Sequence, residues 1–567
     1  MHLDSRKRKG LVKIVRTFPV PIDMARFQKY FFISHDILPS SGLSVTSRTS
    51  IYDTLEIARN FYPDGDRLLR LDHCGRDGPM SSCSQPGRTP IFRSHLVISQ
   101  QSQQTRRANP VSLRDLVGST RAAGFVLDRD TACCFTELKR GTTLGSRLEE
   151  LGGRSVLLAT GRQLTTALAL VELDGLADRI VILPPDINAE HFGTVAAETG
   201  ADAVVIDDAS PPCIGRGFPV RVACAPSILP MAQVSPSRLR TEWVLLTSGT
   251  VGPPKMVLHD LASLTAAIAA ASPADGAAVW GTFYDIRRYG GLQIFLRAIY
   301  GGASLVLSAA GESVSDHLAR LARHGVTHLS GTPSHWRRAL MSPAIRDITP
   351  RYVRLSGEIA DEAILENLRA LFPNAAIGHA YASTEAGVAF DVNDGRAGFP
   401  SGFVGKIRDG VELKIIDGSL RIRSPRVALH YIGKENLALA DEQGFVDTGD
   451  IVEQIGDRFY FVGRKGGIIN IGGLKVHPEE IEVVINQHPQ VRMSRVRPRQ
   501  NPITGSIVVA EVVANTETEG ANARLVQVRD DILKMCRETL PAHKVPAMIS
   551  FVSALPVSAT GKLVRRH

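Results

Sequence analysis

From residue 156 onward, short apolar runs alternate with segments of helical spacing, and this alternation constrains the fold more than any other feature of the chain. Val156–Ala159, Arg179–Leu183 and Ala203–Ile206 are rich in Val, Ile and Leu, which is typical of strands buried on both faces. Helical segments over Gln163–Leu173 and Glu190–Thr199 lie between them. Strands joined by helices of this length predict βαβ units and a parallel sheet.

The alternation returns farther along the chain and then gives way to a different pattern. Ser304–Leu307, a helix over Ser315–His324 and the run Thr327–Leu329 repeat it. After residue 400 the chain has short strands separated by glycine turns, and a mixed segment runs from about residue 475 to the end. The expected fold class is α/β, with a large N-terminal domain whose sheets are built from βαβ units and a small α+β C-terminal domain.

The positive charge of the chain is concentrated in its first fifth. The 567 residues carry a formal net charge of +9, and residues 1–110 hold 17 Lys and Arg against 9 Asp and Glu. Residues 1–110 include a predicted helix over Ile51–Phe61 and are expected to be a basic extension, or else the protein starts downstream, at Met24 or Met80. This stretch carries no recognised nucleic-acid-binding motif and the remainder is nearly neutral, so we do not expect a nucleic-acid partner.

Cysteine spacing and hydropathy set the expected compartment. The seven cysteines show no C-x-x-C spacing, so neither a disulfide framework nor a zinc site is predicted. No apolar run approaches the ~20 residues needed to span a bilayer. We therefore expect a cytoplasmic protein without a membrane span.

The segment Thr247–Lys255 carries the strongest chemical signal. It has the sequence Thr-Ser-Gly-Thr-Val-Gly-Pro-Pro-Lys and follows an apolar run. Glycines let backbone N–H groups approach oxyanions, hydroxyl groups add donors, and the lysine adds a positive charge, all of which suit a polyphosphate. The residue order differs from that of a Walker A loop. Composition alone supports a phosphate loop and a plain Gly/Ser turn equally.

Five further segments with distinctive sequences follow this loop. They are Tyr381–Glu385, Asp447–Asp450, Gly463–Arg464, Ile471–Glu482 and Pro556–Leu563. Together the six segments resemble the motifs of the adenylate-forming superfamily, which includes acyl-CoA synthetases, aryl-CoA ligases, luciferases and the adenylation domains of peptide synthetases. Val251 and Ala382 replace the family's usual Thr and Gly. The resemblance covers about residues 111–567.

The resemblance implies an ATP site and a Mg²⁺ site. Lys562 is implied to be the catalytic cation that bridges the substrate carboxylate and the α-phosphate, and Glu385 to be the ligand of Mg²⁺, which prefers carboxylate oxygen. Asp450 is implied to hold the ribose hydroxyls. Tyr381 is implied either to stack on adenine or to belong to the core. The other implied ATP-binding residues are Thr247, Ser248, Gly249, Thr250, Gly252 and Lys255 at the β- and γ-phosphates, Thr384 at the α-phosphate, and Gly357, Glu358 and Arg464.

Three features depart from the family pattern. The family usually has Asp or Lys at the hinge between its domains, where this chain has Gly466, and glycine tolerates a rotation there. Asp285 and Arg288 stand near the place of a histidine motif beside the acyl pocket, which suggests a small polar or charged acid; an ion-pair patch is the alternative. The sequence ends five residues after Lys562, so we expect any thiol acceptor to arrive in trans.

The expected function is the ATP- and Mg²⁺-dependent activation of a small carboxylic acid as an acyl-adenylate, with release of pyrophosphate and transfer to the thiol of coenzyme A. Residues 111–463 are expected to form the large domain and residues 464–567 the small domain that delivers Lys562. One alternative is a stand-alone enzyme that activates an amino acid or aryl acid and loads the phosphopantetheine of an acyl carrier protein. Another is an inactive adenylating fold that serves as a binding module.

Overall fold

The computed structural model describes residues 112–119, 124–212, 214–231, 239–247, 254–269, 278–433, 438–471, 473–501, 505–515, 521–558 and 560–564. These residues belong to one structural unit, Gln103–His567. The predicted basic extension 1–110, with its helix over Ile51–Phe61, lies outside the described residues. The same is true of Ser248, Gly249, Thr250 and Gly252 in the predicted phosphate loop.

The helices and strands are numbered in chain order. The helices are α1 (Leu113–Ser119), α2 (Gln163–Leu173), α3 (Phe192–Thr199), α4 (Leu261–Ala269), α5 (Tyr289–Tyr300), α6 (Val314–Arg323), α7 (Pro333–Leu340), α8 (Glu362–Leu371), α9 (Pro478–Ile485) and α10 (Ala521–Thr539). The strands are β1 (Phe125–Leu127), β2 (Ala132–Cys134), β3 (Gly141–Thr142), β4 (Ser155–Leu158), β5 (Arg179–Ile182), β6 (Ala203–Ile206), β7 (Val220–Ala223), β8 (Leu229–Pro230), β9 (Glu242–Thr247), β10 (Lys255–Asp260), β11 (Val279–Thr282), β12 (Ser304–Val306), β13 (His328–Gly331), β14 (Tyr352–Ser356), β15 (Ala376–Ser383), β16 (Gly387–Val392), β17 (Phe399–Pro400), β18 (Ile407–Arg408), β19 (Val411–Ile416), β20 (Ser419–Arg423), β21 (His430–Ile432), β22 (Val446–Ile455), β23 (Arg458–Arg464), β24 (Ile469–Ile471), β25 (Leu474–Val476), β26 (Val491–Asn501), β27 (Gly505–Ala514) and β28 (Met548–Phe551).

The predicted βαβ units form two large, mostly parallel sheets. Sheet A has the strand order β7-β6-β4-β5-β9-β10-β21, and its strands are parallel from β7 to β9. Sheet B has the order β16-β15-β14-β13-β11-β12-β1-β2 and is parallel from β15 to β1. Antiparallel strands close one edge of sheet A and both edges of sheet B. The predicted α/β class and parallel pairing are confirmed, and α2 has the predicted bounds.

Helices α2 and α5 lie between the two sheets. Every residue of α2 is buried, and one hydrophobic cluster joins α2 and α5 to Ile180 of sheet A and to Trp280 and Leu305 of sheet B. Alternate strand residues face the outer layers: Val181 packs with the cluster around α3, and Val353 packs with α6, α7 and α8. Burial on all sides explains why seven of the eleven residues of α2 are apolar.

The remaining described chain forms an antiparallel sheet and a small α+β segment. Sheet C has the order β17-β23-β22-β20-β19-β18. After it come the β24–β25 hairpin, α9, the three-stranded sheet β26-β27-β28 and α10, whose apolar faces share one cluster. This arrangement matches the predicted change of pattern after residue 400. Within the described part of the chain, no helix is both long and apolar enough to cross a membrane.

Candidate active site

The ends of the predicted phosphate loop are held by two paired strands. β9 and β10 are antiparallel, and Thr247 at the end of β9 lies opposite Lys255 at the start of β10. The interior residues of β9 are buried, which anchors the loop in sheet A. The Lys255 ammonium lies 5.3 Å from the ring centroid of Tyr431 on the neighbouring strand β21. The loop therefore begins and ends at one edge of sheet A, beside an aromatic ring.

Glu385, the predicted Mg²⁺ ligand, lies beside the same ring. The Tyr431 hydroxyl donates to Glu385 Oε1 at 3.4 Å, and burial and the Glu385 charge raise the pKa of Tyr431. No cluster of three or more His, Cys, Asp or Glu suited to a metal ion occurs among the described residues. A lone carboxylate fits Mg²⁺ that binds through one or two carboxylates and the phosphates of its substrate. Tyr431 belongs to no motif that the sequence analysis used.

His259 connects strand β10 to the segment that carries Glu385. Its Nε2 lies 2.8 Å from the carbonyl oxygen of Thr384 and its Nδ1 lies 3.1 Å from Ser263 Oγ. Burial lowers the pKa of His259 to about 4, so the ring is neutral at pH 7. Because a carbonyl oxygen only accepts, Nε2 carries the proton. Sequence reasoning missed this residue, whose only signal is a histidine at the end of a buried apolar run.

The buried His259 predicts an acid-dependent loss of stability. Its pKa is about 6.5 in the unfolded chain and about 4 in the fold, so the unfolded state binds more protons between these values. The free energy of unfolding should therefore fall by about 3 kcal/mol through this group as the pH decreases from 7 to 4. Urea unfolding at several pH values should show a loss of stability in acid that is smaller in His259→Gln than in the wild type, by about this amount.

The comparison of the two proteins isolates the contribution of His259. Burial raises the pKa of Asp174 to about 6, which acts in the opposite direction but is common to both proteins. Equal pH dependence in wild type and variant would contradict the assignment.

Three predicted ATP-binding residues meet where Asp450, paired with Arg464 in sheet C, contacts Tyr381 of strand β15 in sheet B. The register of β22 and β23 places Asp450 opposite Arg464, and Arg464 Nε donates to Asp450 Oδ1 at 2.6 Å. The Tyr381 hydroxyl donates to Asp450 Oδ2 at 2.5 Å. A carboxylate oxygen has two lone pairs, so both oxygens retain acceptor capacity for hydroxyl groups. Asp450 raises the pKa of Arg464, and burial and Asp450 raise that of Tyr381.

The ring of Tyr381 packs against two other aromatic rings of the protein. It stacks on Phe461 and Phe390, with centroid distances of 5.3 and 5.7 Å. Its hydroxyl positions Asp450. These contacts favour the core alternative over stacking on adenine.

Replacing Asp450 is expected to weaken nucleotide binding specifically. Asp450→Asn should raise the KM for ATP by about tenfold or more, because hydrogen bonds to a charged group are stronger than those to a neutral amide. The measurement is ATP–pyrophosphate exchange together with calorimetric binding of AMP. Asp457→Asn is the matched control, since this exposed residue lies in the turn of the same β22–β23 hairpin. An unchanged affinity for AMP in Asp450→Asn would overturn the assignment.

Lys562 lies over the loop that follows β14. Its Cε and Nζ are 3.3 and 3.8 Å from the point where a Cβ on Gly357 would stand. Gly357 has a φ of +86°, the left-handed region that favours glycine. The Lys562 residue retains access to solvent, while desolvation by the surrounding protein and the Arg464 charge lower its pKa. The structure thus brings the predicted catalytic lysine to the predicted nucleotide loop.

Glu358, in the loop after β14, links this loop to the C-terminal segment by a hydrogen bond. Its Oε1 accepts a hydrogen bond from the Leu563 N–H at 2.8 Å, and its Oε2 accepts from the Ser334 N–H at 2.9 Å. The carboxylate therefore bridges the start of α7 and the segment that carries Lys562. The contact of Glu358 with adenine stays a prediction, in addition to this bridging role.

Gly561, which precedes Lys562, packs directly against a histidine ring. A Cβ at Gly561 would stand 1.7 Å from His335 Cε1, and its φ is +72°. Thr332 Oγ1 donates to the Gly561 carbonyl oxygen at 2.5 Å, and Thr332 and His335 form the capping box of α7. Burial and Arg338 lower the pKa of His335 to about 3, so the ring is neutral. Sequence reasoning missed Thr332 and His335.

Asp285 and Arg288, the predicted pocket residues, are both engaged in ion pairs. Arg287 Nε and Nη2 bind the two oxygens of Asp285 at 2.9 and 2.6 Å. Arg287 is buried and also donates to the carbonyl oxygen of Thr160. Arg288 pairs with Asp186. This arrangement favours the ion-pair alternative, because the carboxylate and the guanidinium groups already have protein partners.

Gly466 lies in a short turn, Lys465–Gly467, directly after β23. A Cβ there would meet nothing within 4 Å, and its φ lies outside the left-handed region. A larger residue would fit, so packing does not require glycine at this position. Its role as a hinge stays a prediction.

Two family models match this chain. The model described as AMP-binding enzyme matches residues 169–431, and the one described as AMP-binding enzyme C-terminal domain matches residues 480–562, together more than half of the chain. Among curated relatives, 4-coumarate–CoA ligase 2 of Oryza sativa subsp. japonica is 28% identical over 48% of this chain and 51% of its own. The 4-coumarate–CoA ligase of Pinus taeda is 30% identical over 39% of this chain and 43% of its own. The chain thus spans about half the length of these relatives.

Solved structures share the fold at low sequence identity. The anthranilate CoA ligase AuaEII in complex with anthranoyl-AMP has a TM-score of 0.68 and 20% identity, covering 80% of this chain and 96% of its own. A benzoate CoA ligase from Burkholderia xenovorans LB400 has a TM-score of 0.66 and 20% identity, covering 80% of this chain and 98% of its own. These structures show the shared fold, and the two family models, which together match more than half of the chain, show that it belongs to the adenylate-forming superfamily of AMP-binding enzymes.

Proposed function

We propose that the protein activates a carboxylic acid with ATP as an acyl-adenylate and transfers the acyl group to coenzyme A. The observation that carries this proposal is the position of Lys562 over Gly357. Hydrogen bonds from Thr332 to Gly561 and from Leu563 to Glu358 hold the residues on either side of Lys562 in place. The printed names of the relatives and structural neighbours, which are CoA ligases for 4-coumarate, anthranilate and benzoate, support it.

The first step joins two anionic reactants. One carboxylate oxygen of the acid attacks the α-phosphorus of ATP, the bond to the bridging oxygen breaks, and pyrophosphate leaves with the bonding electrons. Charge neutralisation and alignment drive such a step more than a base does. Lys562 would hold the carboxylate against the α-phosphate, Lys255 would bind the outer phosphates, and Asp450 would fix the ribose.

In the second step a thiol replaces AMP. The sulfur attacks the acyl carbon, the bond from that carbon to the AMP oxygen breaks, AMP leaves, and the thiol proton passes to solvent. Glu385 would hold Mg²⁺, which neutralises phosphate charge when it is bound. Tyr431 and His259 would keep the Glu385 segment in place through the bonds described above.

We propose two domains for this reaction, residues 111–463 and residues 464–567, with a rotation at Gly466 between the steps. Glycine tolerates the change of backbone conformation that such a rotation requires. We also propose a cytoplasmic location. Among the described residues, Cys133, Cys134, Cys224 and Cys536 are free thiols, as in proteins of a reducing compartment.

An acid panel tests the proposal. Each acid is incubated with ATP and Mg²⁺, and pyrophosphate release is measured with and without coenzyme A. We expect acid-dependent release and a stoichiometric acyl-CoA product. Pyrophosphate exchange without acyl-CoA formation, together with loading of a carrier-protein phosphopantetheine, would establish the carrier-loading alternative. Absence of acid-dependent exchange would refute the proposed function.

A further inference from the structure

Sheet B presents a row of polar side chains to helix α5, directly below the candidate active site. The strand register places Thr282, Ser330 and Arg354 side by side on β11, β13 and β14. All three are buried. They share the face of Trp280, two residues away on β11, which packs in the same cluster as α5. A buried polar row on a face that packs against an otherwise apolar helix requires partners.

Several polar atoms around this row have no hydrogen-bond partner within the described chain. They are Ser330 Oγ, Trp280 Nε1, Gln293 Oε1 and Arg297 Nε. Ser330 is fully buried, and Trp280 and Gln293 are more than nine-tenths buried. Gln293 Nε2 donates to the Leu264 carbonyl oxygen, which fixes the orientation of its amide. Unsatisfied buried groups are rare in folded proteins, so these atoms are expected to have partners outside the protein chain, such as a bound polar group or water.

The same region carries an excess of positive charge. Arg354 is paired, since its Nε and Nη2 both donate to Asp391 Oδ1, at 2.9 and 2.6 Å. Burial and the Arg354 charge lower the pKa of Arg297, as expected for neighbouring guanidinium groups. No carboxylate pairs with Arg297 among the described residues. An anionic oxygen would satisfy this charge and also the donors of Ser330 and Trp280.

The polar row lies a few residues along the strand from Gly357 and Lys562, where the substrate carboxylate would react. Ser356 stands two residues beyond Arg354 on β14, and Gly357, under Lys562, follows Ser356. Three residues, from Arg354 to Gly357, span about 10 Å. An acid whose carboxylate lies beneath Lys562 would need to place a substituent about 10 Å away, across an aromatic ring, to contact the polar row.

We propose that Trp280, Arg297, Ser330 and Arg354 together bind a second anionic oxygen group of the substrate, so that the enzyme prefers acids with a distal carboxylate over unsubstituted acids. This inference rests on the proposed function and specifies its substrate class. The sequence analysis expected a small polar or charged acid from Asp285 and Arg288. The structure supports the same class through different residues.

The test compares matched acids in ATP–pyrophosphate exchange. The panel is benzoate, 4-hydroxybenzoate and terephthalate, with cinnamate and 4-carboxycinnamate as a longer pair. We expect the kcat/KM for a distal carboxylate to exceed that of the unsubstituted acid by at least tenfold. Ser330→Ala and Arg297→Met should each lower this ratio by about tenfold or more, as for lost bonds to a charged group. A preference for the hydroxyl-bearing acids, or for the unsubstituted ones, would overturn the proposal.

Ser342→Ala is the matched control. Ser342 Oγ is likewise buried without a partner but lies in the turn after α7, away from the row. This variant should leave the ratio unchanged, and melting temperatures should show that every variant is folded. Calorimetric binding of terephthalate in the presence of AMP gives a readout that needs no turnover. Equal binding by wild type and Ser330→Ala would mean that the unpartnered atoms hold only water, and would refute the inference while the proposed function stands.

Discussion

Replacing Lys562 with alanine is expected to lower the rate of acyl-adenylate formation by about a hundredfold to a thousandfold, the range found when one positioned group that stabilises developing charge is removed. The ammonium is the positive group that the C-terminal segment brings over Gly357. Without it, the carboxylate and the α-phosphate repel each other at the moment of attack. The measurement is the rate of acid-dependent ATP–pyrophosphate exchange.

The fold should survive this change, because the segment is fixed by backbone groups of its neighbours. Leu563 donates its N–H to Glu358, and Gly561 accepts from Thr332 through its carbonyl oxygen. Lys534→Ala, an exposed lysine on α10, is the control for a lost positive charge in the same segment. Full exchange activity in Lys562→Ala would refute the assigned role.

A single methyl group at Gly561 is expected to cost nearly as much activity. In Gly561→Ala the new Cβ would stand 1.7 Å from the His335 ring, and an L-residue would be held at a φ of +72°. His335 is fixed by the capping box of α7, so the segment that carries Lys562 must move. Since displacement by about 1 Å costs about a hundredfold in rate, we expect a loss of that order in pyrophosphate exchange.

Gly193→Ala is the control for Gly561→Ala. Gly193 lies in α3 with open space around the added Cβ, and alanine in a helix should raise the free energy of unfolding by about 0.5–1 kcal/mol. Exchange activity should be unchanged there. Normal exchange in Gly561→Ala would show that the segment does not need its close approach to His335.

Local patterns predicted the fold well, because burial repeats along a strand or helix. The apolar runs predicted β6 and α2 with their observed bounds. Glu385, Asp450 and Lys562 were recognised because the resemblance ties each to a motif of several residues. Their predicted roles remain to be tested, but the structure brings Asp450 to Tyr381 and Arg464, and Lys562 to Gly357.

The residues that sequence reasoning missed make contacts only through the folded chain. His259 meets Thr384 across 125 positions, and Thr332 meets Gly561 across 229. Each is a single polar residue in an ordinary strand or helix start. Asp285 shows the opposite problem. Its partner Arg287 lies only two residues away. The Asp-Arg-Arg sequence does not show whether these side chains form an ion pair with each other or bind a substrate.

The account as a whole depends on attack by the substrate carboxylate on the α-phosphorus of ATP. The most direct measurement uses an acid labelled with oxygen-18 in its carboxylate and determines by mass spectrometry where the label goes during acyl-CoA formation. We predict that one labelled oxygen appears in AMP and none in pyrophosphate. Label in inorganic phosphate, or AMP formed without label, would contradict the account.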